Sequence, residues 1–385
     1  MPDPTETRPY GQWRELYHEV LTTNYCTGCA ACVMACPRDV LDYDHSTSYH
    51  PFNIEPSTAF DDCVHGQRGC DICTKACPRF RMWEVECDNA LFGRERRPDE
   101  VFGIHKDVFL VRATDDGIHE KGQDGGLVSA LLIWGLENQK IDGALVSKVS
   151  EERTWDCEPF VATTREEVLK SAGSRYTYSA NPLAMKDAEK RGLKNLALVG
   201  MSCQSSINGT VSARNVAKYK RRIALTIGLL CSKSFTYEGM MVDKIEKQLG
   251  IPLTDISKVN VKGKFIVWRS STGEQIDIPL KECHPYTREG CKLCPDFAAE
   301  HADISTGGLG QSDGWTLTVV RTERGAEWMQ GLVEAGWIAV RPGADDPNAI
   351  ALMEKLSAKS RKRWPQGLPG AQSAPGVVPH TNGGA

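Results

Sequence analysis

Eight cysteines in the first eighty residues constrain this chain more than any other feature. They fall in two runs, Cys26-x2-Cys29-x2-Cys32-x3-Cys36-Pro37 and Cys63-x6-Cys70-x2-Cys73-x3-Cys77-Pro78. Thiolates two residues apart can wrap one face of a small inorganic core. The fourth cysteine of such a run then reaches the neighbouring core, as in bacterial two-cluster ferredoxins. The spacing therefore predicts two [4Fe–4S] clusters with crossed ligation. Cys26, Cys29, Cys32 and Cys77 hold one, and Cys63, Cys70, Cys73 and Cys36 hold the other. The long step from Cys63 to Cys70 departs from compact ferredoxin spacing and leaves Cys63 the least specified ligand. Zinc also accepts four thiolates and is the alternative occupant. Clusters so linked conduct electrons; clusters of purely structural role are the other reading.

The whole chain carries 15 cysteines among 385 residues. The start, "MPDPTETRPYGQW", lacks the charged-then-apolar pattern of a secretion signal, so tight Cys-x2-Cys spacings read as metal or redox chemistry rather than disulfides. No apolar run is long enough to span a bilayer, and a cytoplasmic protein is expected. The net charge of -4 gives no general attraction to nucleic acid. The length allows two or three domains.

Four regions are expected. Residues 1–22 form a leader, helical around "WRELYHEVL". Residues 23–95 form the cysteine-rich module, which has little apolar surface to bury and depends on metal for order. Residues 100–345 alternate strands ("DVFLVRAT", "DGALVSKV", "NLALVG", "RIALTIGLLC", "WTLTVVRT") with helices ("GGLVSALLIWGLEN", "TREEVLKSA" capped by Thr164, "NPLAMKDAEKRG", "YEGMMVDKIEKQLG", "GAEWMQGLVEAG"), and "GKFIVWRSSTGEQIDIPL" reads as a hairpin turning at Thr272-Gly273. This alternation predicts α/β layers of the α+β kind behind the ferredoxin-like module. Residues 361–385, rich in Pro, Gly and polar residues, have the composition of a disordered tail.

The larger domain has its own cysteines. Cys203 follows the strand "NLALVG", Cys231 ends "IALTIGLLC", and Cys291 and Cys294 form "CKLCPDF". Strand ends of an α/β layer share a rim, where ligands bind, so the four can converge on a third cluster. From spacing alone, inert buried thiols explain them equally well. Cys87, Cys157 and Cys283 read as free or buried thiols. No G-x-G-x-x-G follows a strand, which leaves a Rossmann nicotinamide site without support. The nine histidines are scattered; His119, before a glycine block, and His301 read as satisfied or surface residues.

The blocks "GQDGGLVSALL", "SRYTYS", "GMSCQ", "GLLCSKSFT", "CKLCPDFAAEHADISTGGLG" and "GWTLTVVRT" occur in that order. Together they resemble the coenzyme F420 hydrogenase/dehydrogenase beta-subunit family, from about residue 23 to about residue 325. The resemblance implies an iron–sulfur flavoprotein with FAD beside a further [4Fe–4S] cluster, ligated by Cys203, Cys231, Cys291 and Cys294. It implies that Gln123, Asp124, Gly125 and Gly126 open a helix against FAD. Paired glycines let backbone N–H groups at a helix N-terminus approach phosphate; a simple glycine turn is the plainer reading. It likewise implies Ser174, Arg175 and Tyr176 at the flavin, Arg175 on a phosphate and Tyr176 as a stack or cap. Lys264 in "VKGKF" reads equally as a cation near flavin or substrate and as a solvated lysine, and "DISTGGLG" (303–310) is a candidate border of the active site. The family's usual Gly-Thr-Pro-Cys-Gln is here Gly200-Met201-Ser202-Cys203-Gln204, which removes a proline with fixed φ from the turn before the cysteine.

The function expected is an oxidoreductase that passes electrons between clusters and, through FAD, coenzyme F420, free-standing with ferredoxin or as a subunit of a larger redox complex. Its partners would be a redox protein and a small hydride donor or acceptor. Two alternatives stand beside it. One is a ferredoxin-dependent reductase of another small organic substrate, as the pigment-reducing relatives of the family imply. The other is a non-catalytic electron-transfer subunit.

Overall fold

The computed structural model describes residues 10–55, 59–81, 83–310 and 313–363. Thirteen strands are found among them. β1 (Leu41–Tyr43) and β2 (Pro51–Asn53) form an antiparallel pair inside the cysteine module. β3 (Asp107–Ala113), β4 (Gly143–Val149), β5 (Cys157–Ala162), β6 (Leu196–Met201), β7 (Ile223–Leu229), β11 (Ile304–Gly307), β12 (Thr316–Val320) and β13 (Ile338–Pro342) build one eight-stranded sheet. β8 (Ile256–Val261), β9 (Lys264–Arg269) and β10 (Gln275–Pro279) build a small antiparallel one.

The large sheet is mixed. Its order is β13-β3-β12-β11-β7-β6-β4-β5. The central strands β11, β7, β6 and β4 run parallel, and the outer ones close each edge antiparallel. The parallel strands are largely buried on both faces, as the apolar runs of β4, β6 and β7 require. Alternate residues supply two cores: Ala144, Val146, Ala197 and Val199 pack under the helices Leu127–Glu137 and Glu323–Glu334, whereas Leu145, Leu196 and Leu198 face the other way. The hairpin at Thr272-Gly273 and the helix capped by the Thr164 side chain form as the sequence predicts.

The second core corrects the expected domain division. It joins Leu198, Ile207 and Val211 of the large domain to Trp13, Leu16, Val20 and Phe80 of the N-terminal segment. The segment expected to be a leader therefore contributes Trp13, Leu16, Val20 and Leu21 to the core. Trp13 is 1% exposed, and its indole N–H donates to the Phe60 carbonyl at 2.9 Å. The helix Trp83–Phe92 lies against the helix Ser202–Ala213, where Gly209 leaves room for the Cys87 sulfur. At the other end, the helix Pro347–Arg361 packs Ala349 and Met353 on Leu110, Leu317 and Val319. Arg361 thus belongs to a helix rather than to the expected tail, whose residues 364–385 lie outside the described residues.

Candidate functional site: three cysteine quartets leading to a glycine-walled cavity

The helices Ala31–Ala35 and Ile72–Ala76 each carry a cysteine inward and present another just beyond their last turn. The consequence is two cavities, each lined by four cysteines. Cys26, Cys29, Cys32 and Cys77 line one of about 320 Å³. Cys36, Cys63, Cys70 and Cys73 line the other, of about 340 Å³. These are the crossed sets that the spacing predicts, with Cys63 in place.

A third cavity, of about 300 Å³, is lined by Cys203, Cys231, Cys291 and Cys294. Cys203 comes from the first turn of a helix after β6, Cys231 from the segment after β7, and Cys291 from the short helix Glu289–Lys292. Because β6 and β7 are parallel, their carboxyl ends bring the first two to one rim. Gly290 holds this loop to the N-terminal module: a Cβ there would overlap the Cys26 carbonyl oxygen.

The cavities adjoin in turn: the helices Ala31–Ala35 and Ile72–Ala76, each with the residue that follows it, give one cysteine to either N-terminal quartet. Thr27 lines both the Cys26 and the Cys203 cavities. Met201 lines both the Cys203 cavity and a fourth, of about 1080 Å³. That large cavity lies at the carboxyl ends of the parallel strands, at Val146, Ser147, Val199, Leu229 and Thr306, the usual ligand position in such sheets. Gly122, Gly126, Gly173, Gly200, Gly307 and Gly308 line its wall, together with the first turn of the helix Leu127–Glu137. Gly126 caps that helix at φ 78, a left-handed conformation suited to glycine. The Gly125 N–H donates to Thr316 Oγ1 at 2.7 Å.

Of the residues expected at a flavin, Gln123, Asp124, Gly126, Ser174 and Arg175 line this cavity. Gly125 is packed behind them against Val111 and Thr316, and two more lie elsewhere. Tyr176 turns away to the small sheet, where its hydroxyl meets Asn260 Oδ1 at 3.1 Å and accepts from the Val261 N–H at 3.0 Å. The segment is extended, so Arg175, Thr177 and Ser179 face the cavity and Tyr176 faces the opposite side. Lys264 lies on β9, half-exposed and paired with Asp277. The cation nearer the cavity is Lys262, 3.8 Å from Asp124. The stretch expected as a glycine-rich loop begins as β11 and borders the cavity through Thr306, Gly307 and Gly308.

The electrostatics separate the two kinds of site. Burial pushes the thiol of Cys29 up to about 12 and those of Cys203 and Cys294 up to about 11, so each becomes a thiolate only when a metal displaces its proton. Two arginines stand among the quartets. Arg79 donates to Cys294 Sγ at 3.0 Å. Arg288 stacks 3.5 Å from the Tyr178 ring centre. Both are buried, and Arg79 Nε, Arg288 Nε and Arg288 Nη1 lack a partner. Buried cations with orphaned N–H groups call for anions beside them, and thiolate-ligated iron–sulfur cores supply them. Among the described residues, no three Cys, His, Asp or Glu side chains converge closely enough for a single ion; the cysteines surround space instead. Sequence reasoning missed both arginines; the only signals are their places, two residues after Cys77 and three before Cys291.

In the large cavity, the Arg175 guanidinium donates, among the described residues, only to the carbonyls of Lys170, Ser171, Ala172 and Gly173, which close the helix Arg165–Ser171. Burial pulls its pKa down and the Cys157 thiol partly offsets this. A cation without a carboxylate, glycine backbone and a helix N-terminus together fit a phosphate-bearing ligand. Cys157, in the same wall, accepts from Thr177 Oγ1 at 3.2 Å; Cys283 is buried beneath the small sheet.

Quartets of thiols in file beside such a cavity define an iron–sulfur redox protein. Comparison with known proteins gives the class its family. The profile described as a 4Fe-4S dicluster domain matches residues 25–80. Those of the coenzyme F420 hydrogenase/dehydrogenase beta subunit match residues 108–186, the N-terminal part, and 193–346, the C-terminal part. A coenzyme F420 hydrogenase subunit beta from Methanococcus voltae is 38% identical over 269 residues, 68% of this chain and 93% of the relative. A subunit of the F(420)H(2) dehydrogenase of Methanosarcina mazei is 28% identical, over 89% of this chain and 91% of its own length. Among solved structures, a chain of the xenon-derivatised F420-reducing [NiFe] hydrogenase complex from Methanosarcina barkeri superposes with a TM-score of 0.65 at 32% identity, covering 69% of this chain and 91% of that one. The chain belongs to the coenzyme F420 hydrogenase/dehydrogenase beta-subunit family and carries a 4Fe–4S dicluster domain.

Proposed function

We propose that this chain carries electrons between a protein partner and coenzyme F420 through three [4Fe–4S] clusters and FAD. The observation that carries the reading is the order of the cavities: Cys36/Cys63/Cys70/Cys73, then Cys26/Cys29/Cys32/Cys77, then Cys203/Cys231/Cys291/Cys294, then the large cavity behind Met201. Bound FAD would exchange single electrons with the nearest cluster and a hydride with an organic partner. The protein would bind and orient it: Gly126 and the first turn of the helix Leu127–Glu137 would receive phosphate and Arg175 would neutralise it, while Gln123 fixes the Ser174 loop by accepting from its N–H at 3.0 Å. No side-chain nucleophile is required. The partner is a ferredoxin or another subunit of a redox complex. No helix among the described residues is long and apolar enough to cross a membrane, and a reducing compartment such as the cytoplasm suits the free thiols.

The test is anaerobic. The protein is loaded with iron, sulfide and FAD, then mixed with reduced F420, with reduced nicotinamide as control. Bleaching of flavin and cluster absorbance by F420 alone is expected. A protein that dithionite reduces fully but F420 does not would sink the assignment. That outcome would favour the second reading, a ferredoxin-dependent reductase of another small molecule. Met201 is the feature that favours it, since this side chain fills the wall between cluster and cavity where the family usually has threonine. Protein that keeps its clusters but binds no flavin would instead mark a non-catalytic electron-transfer subunit.

A further inference from the structure

Arg79 occupies an unusual place in this file. It belongs to the N-terminal module and lines the Cys26/Cys29/Cys32/Cys77 cavity, yet its Nη2 donates to Cys294 Sγ in the next quartet at 3.0 Å. Its Nη1 donates to the Pro78 carbonyl at 3.0 Å, and its Nε has no partner. Trp83 fixes it, with the ring centre 4.5 Å from the guanidinium carbon. Burial works against the charge; the groups that sustain it are Cys294 and Cys203, ahead of Asp296 and Glu84. A buried cation so placed answers chiefly to the sulfurs of one site, the Cys203/Cys231/Cys291/Cys294 quartet, while it lines the other.

We propose that Arg79 sets the relative reduction potentials of the two neighbouring clusters, raising most the potential of the one held by Cys203, Cys231, Cys291 and Cys294. Reduction adds one electron, and hence one negative charge, to a cluster, with no bond made or broken. A fixed positive charge beside it stabilises the reduced form, and an N–H donated to a ligand sulfur adds to this. Electrons arriving along the file then collect next to the large cavity. Arg79 is a positioning residue: it touches a ligand, not a substrate. The inference rests on the proposed third cluster.

The experiment is an EPR-monitored redox titration of the cluster-loaded full chain, with dithionite as electron source, comparing wild type with Arg79→Gln and Arg79→Lys. Arg79→Gln should lower the potential of the Cys294-ligated cluster by at least a tenfold change in its reduced-to-oxidised ratio, about 59 mV for a one-electron couple. The Cys26 cluster should shift less, the Cys36 cluster should stay in place, and Arg79→Lys should recover part of the shift. Unmoved potentials, or equal shifts in all three clusters, overturn the assignment. If Arg79→Gln does not load iron, Arg79→Lys decides by the same rule, and failure of both to load makes Arg79 a folding requirement and also overturns it. Wild-type protein holding iron for two clusters rather than three would instead sink the underlying reading.

Discussion

Among single residues, the cysteines divide by what surrounds them. Cys203 faces a cavity shared with three other thiols, whereas Cys87 sits between two helices and contacts Gly209. Cys203→Ala should therefore lower bound iron by about a third on the proposed ligation of three similar clusters. Cys87→Ala should keep all of it at a stability cost of about 1–2 kcal/mol. Iron analysis beside chemical denaturation separates the two. Arg175 offers a second case. On the proposed phosphate contact, Arg175→Gln should weaken FAD binding about tenfold, the loss of one charge-assisted hydrogen bond. Flavin fluorescence titration reads it, and unchanged affinity would remove Arg175 from the ligand. Much of this was legible in sequence, because thiol spacing is local and thiol chemistry is narrow. Tyr176 and Lys264 were misplaced for a local reason too. One residue along an extended segment reverses a side chain, and which of two lysines flanking Gly263 reaches Asp124 depends on how the β8–β9 turn is carried.

For the elements, periodicity placed β4, β6 and β7 and their helices, since these buried parallel strands leave short apolar runs; it missed β11, whose Ile304-Ser305-Thr306-Gly307 read as glycine-rich loop. It did not show that the sheet is mixed, because β5 and β13 pair through register rather than through any marked sequence pattern. Nor did it show what the terminal helices do. The helix Pro347–Arg361 is locked through Arg361, which pairs with Glu84 and Glu300, and Glu300 also pairs with Arg96. These partners lie 277 and 61 residues away, beyond any local pattern. Removing one cation from a buried ionic cluster leaves carboxylates uncompensated. Arg361→Ala should cost about 3 kcal/mol, read as a lowered denaturation midpoint, and a change below about 1 kcal/mol would show that Arg96 alone suffices.

In the molecule as a whole, the N-terminal segment and the large sheet share a core, so the module is built into the fold rather than tethered to it. Its own strands are only three residues each, and most of what lies between its cysteines is short helix and turn. Removal of iron should therefore release residues 25–80 selectively. Hydrogen exchange of iron-free protein should show lost protection there while β6, β7 and β11 keep theirs. Loss of protection throughout the sheet would mean that the clusters hold the entire fold.

The four cysteines of the middle quartet are all buried, while the quartets on either side each include partly exposed thiols. A conductor sealed in the middle and open at its ends corrodes from the ends. On limited exposure to air, the Cys26/Cys29/Cys32/Cys77 cluster should be the last to bleach, and EPR of partly oxidised samples should find it surviving alone. On the proposed wiring the same burial would favour exchange with outside partners at the two ends of the file over exchange at its centre.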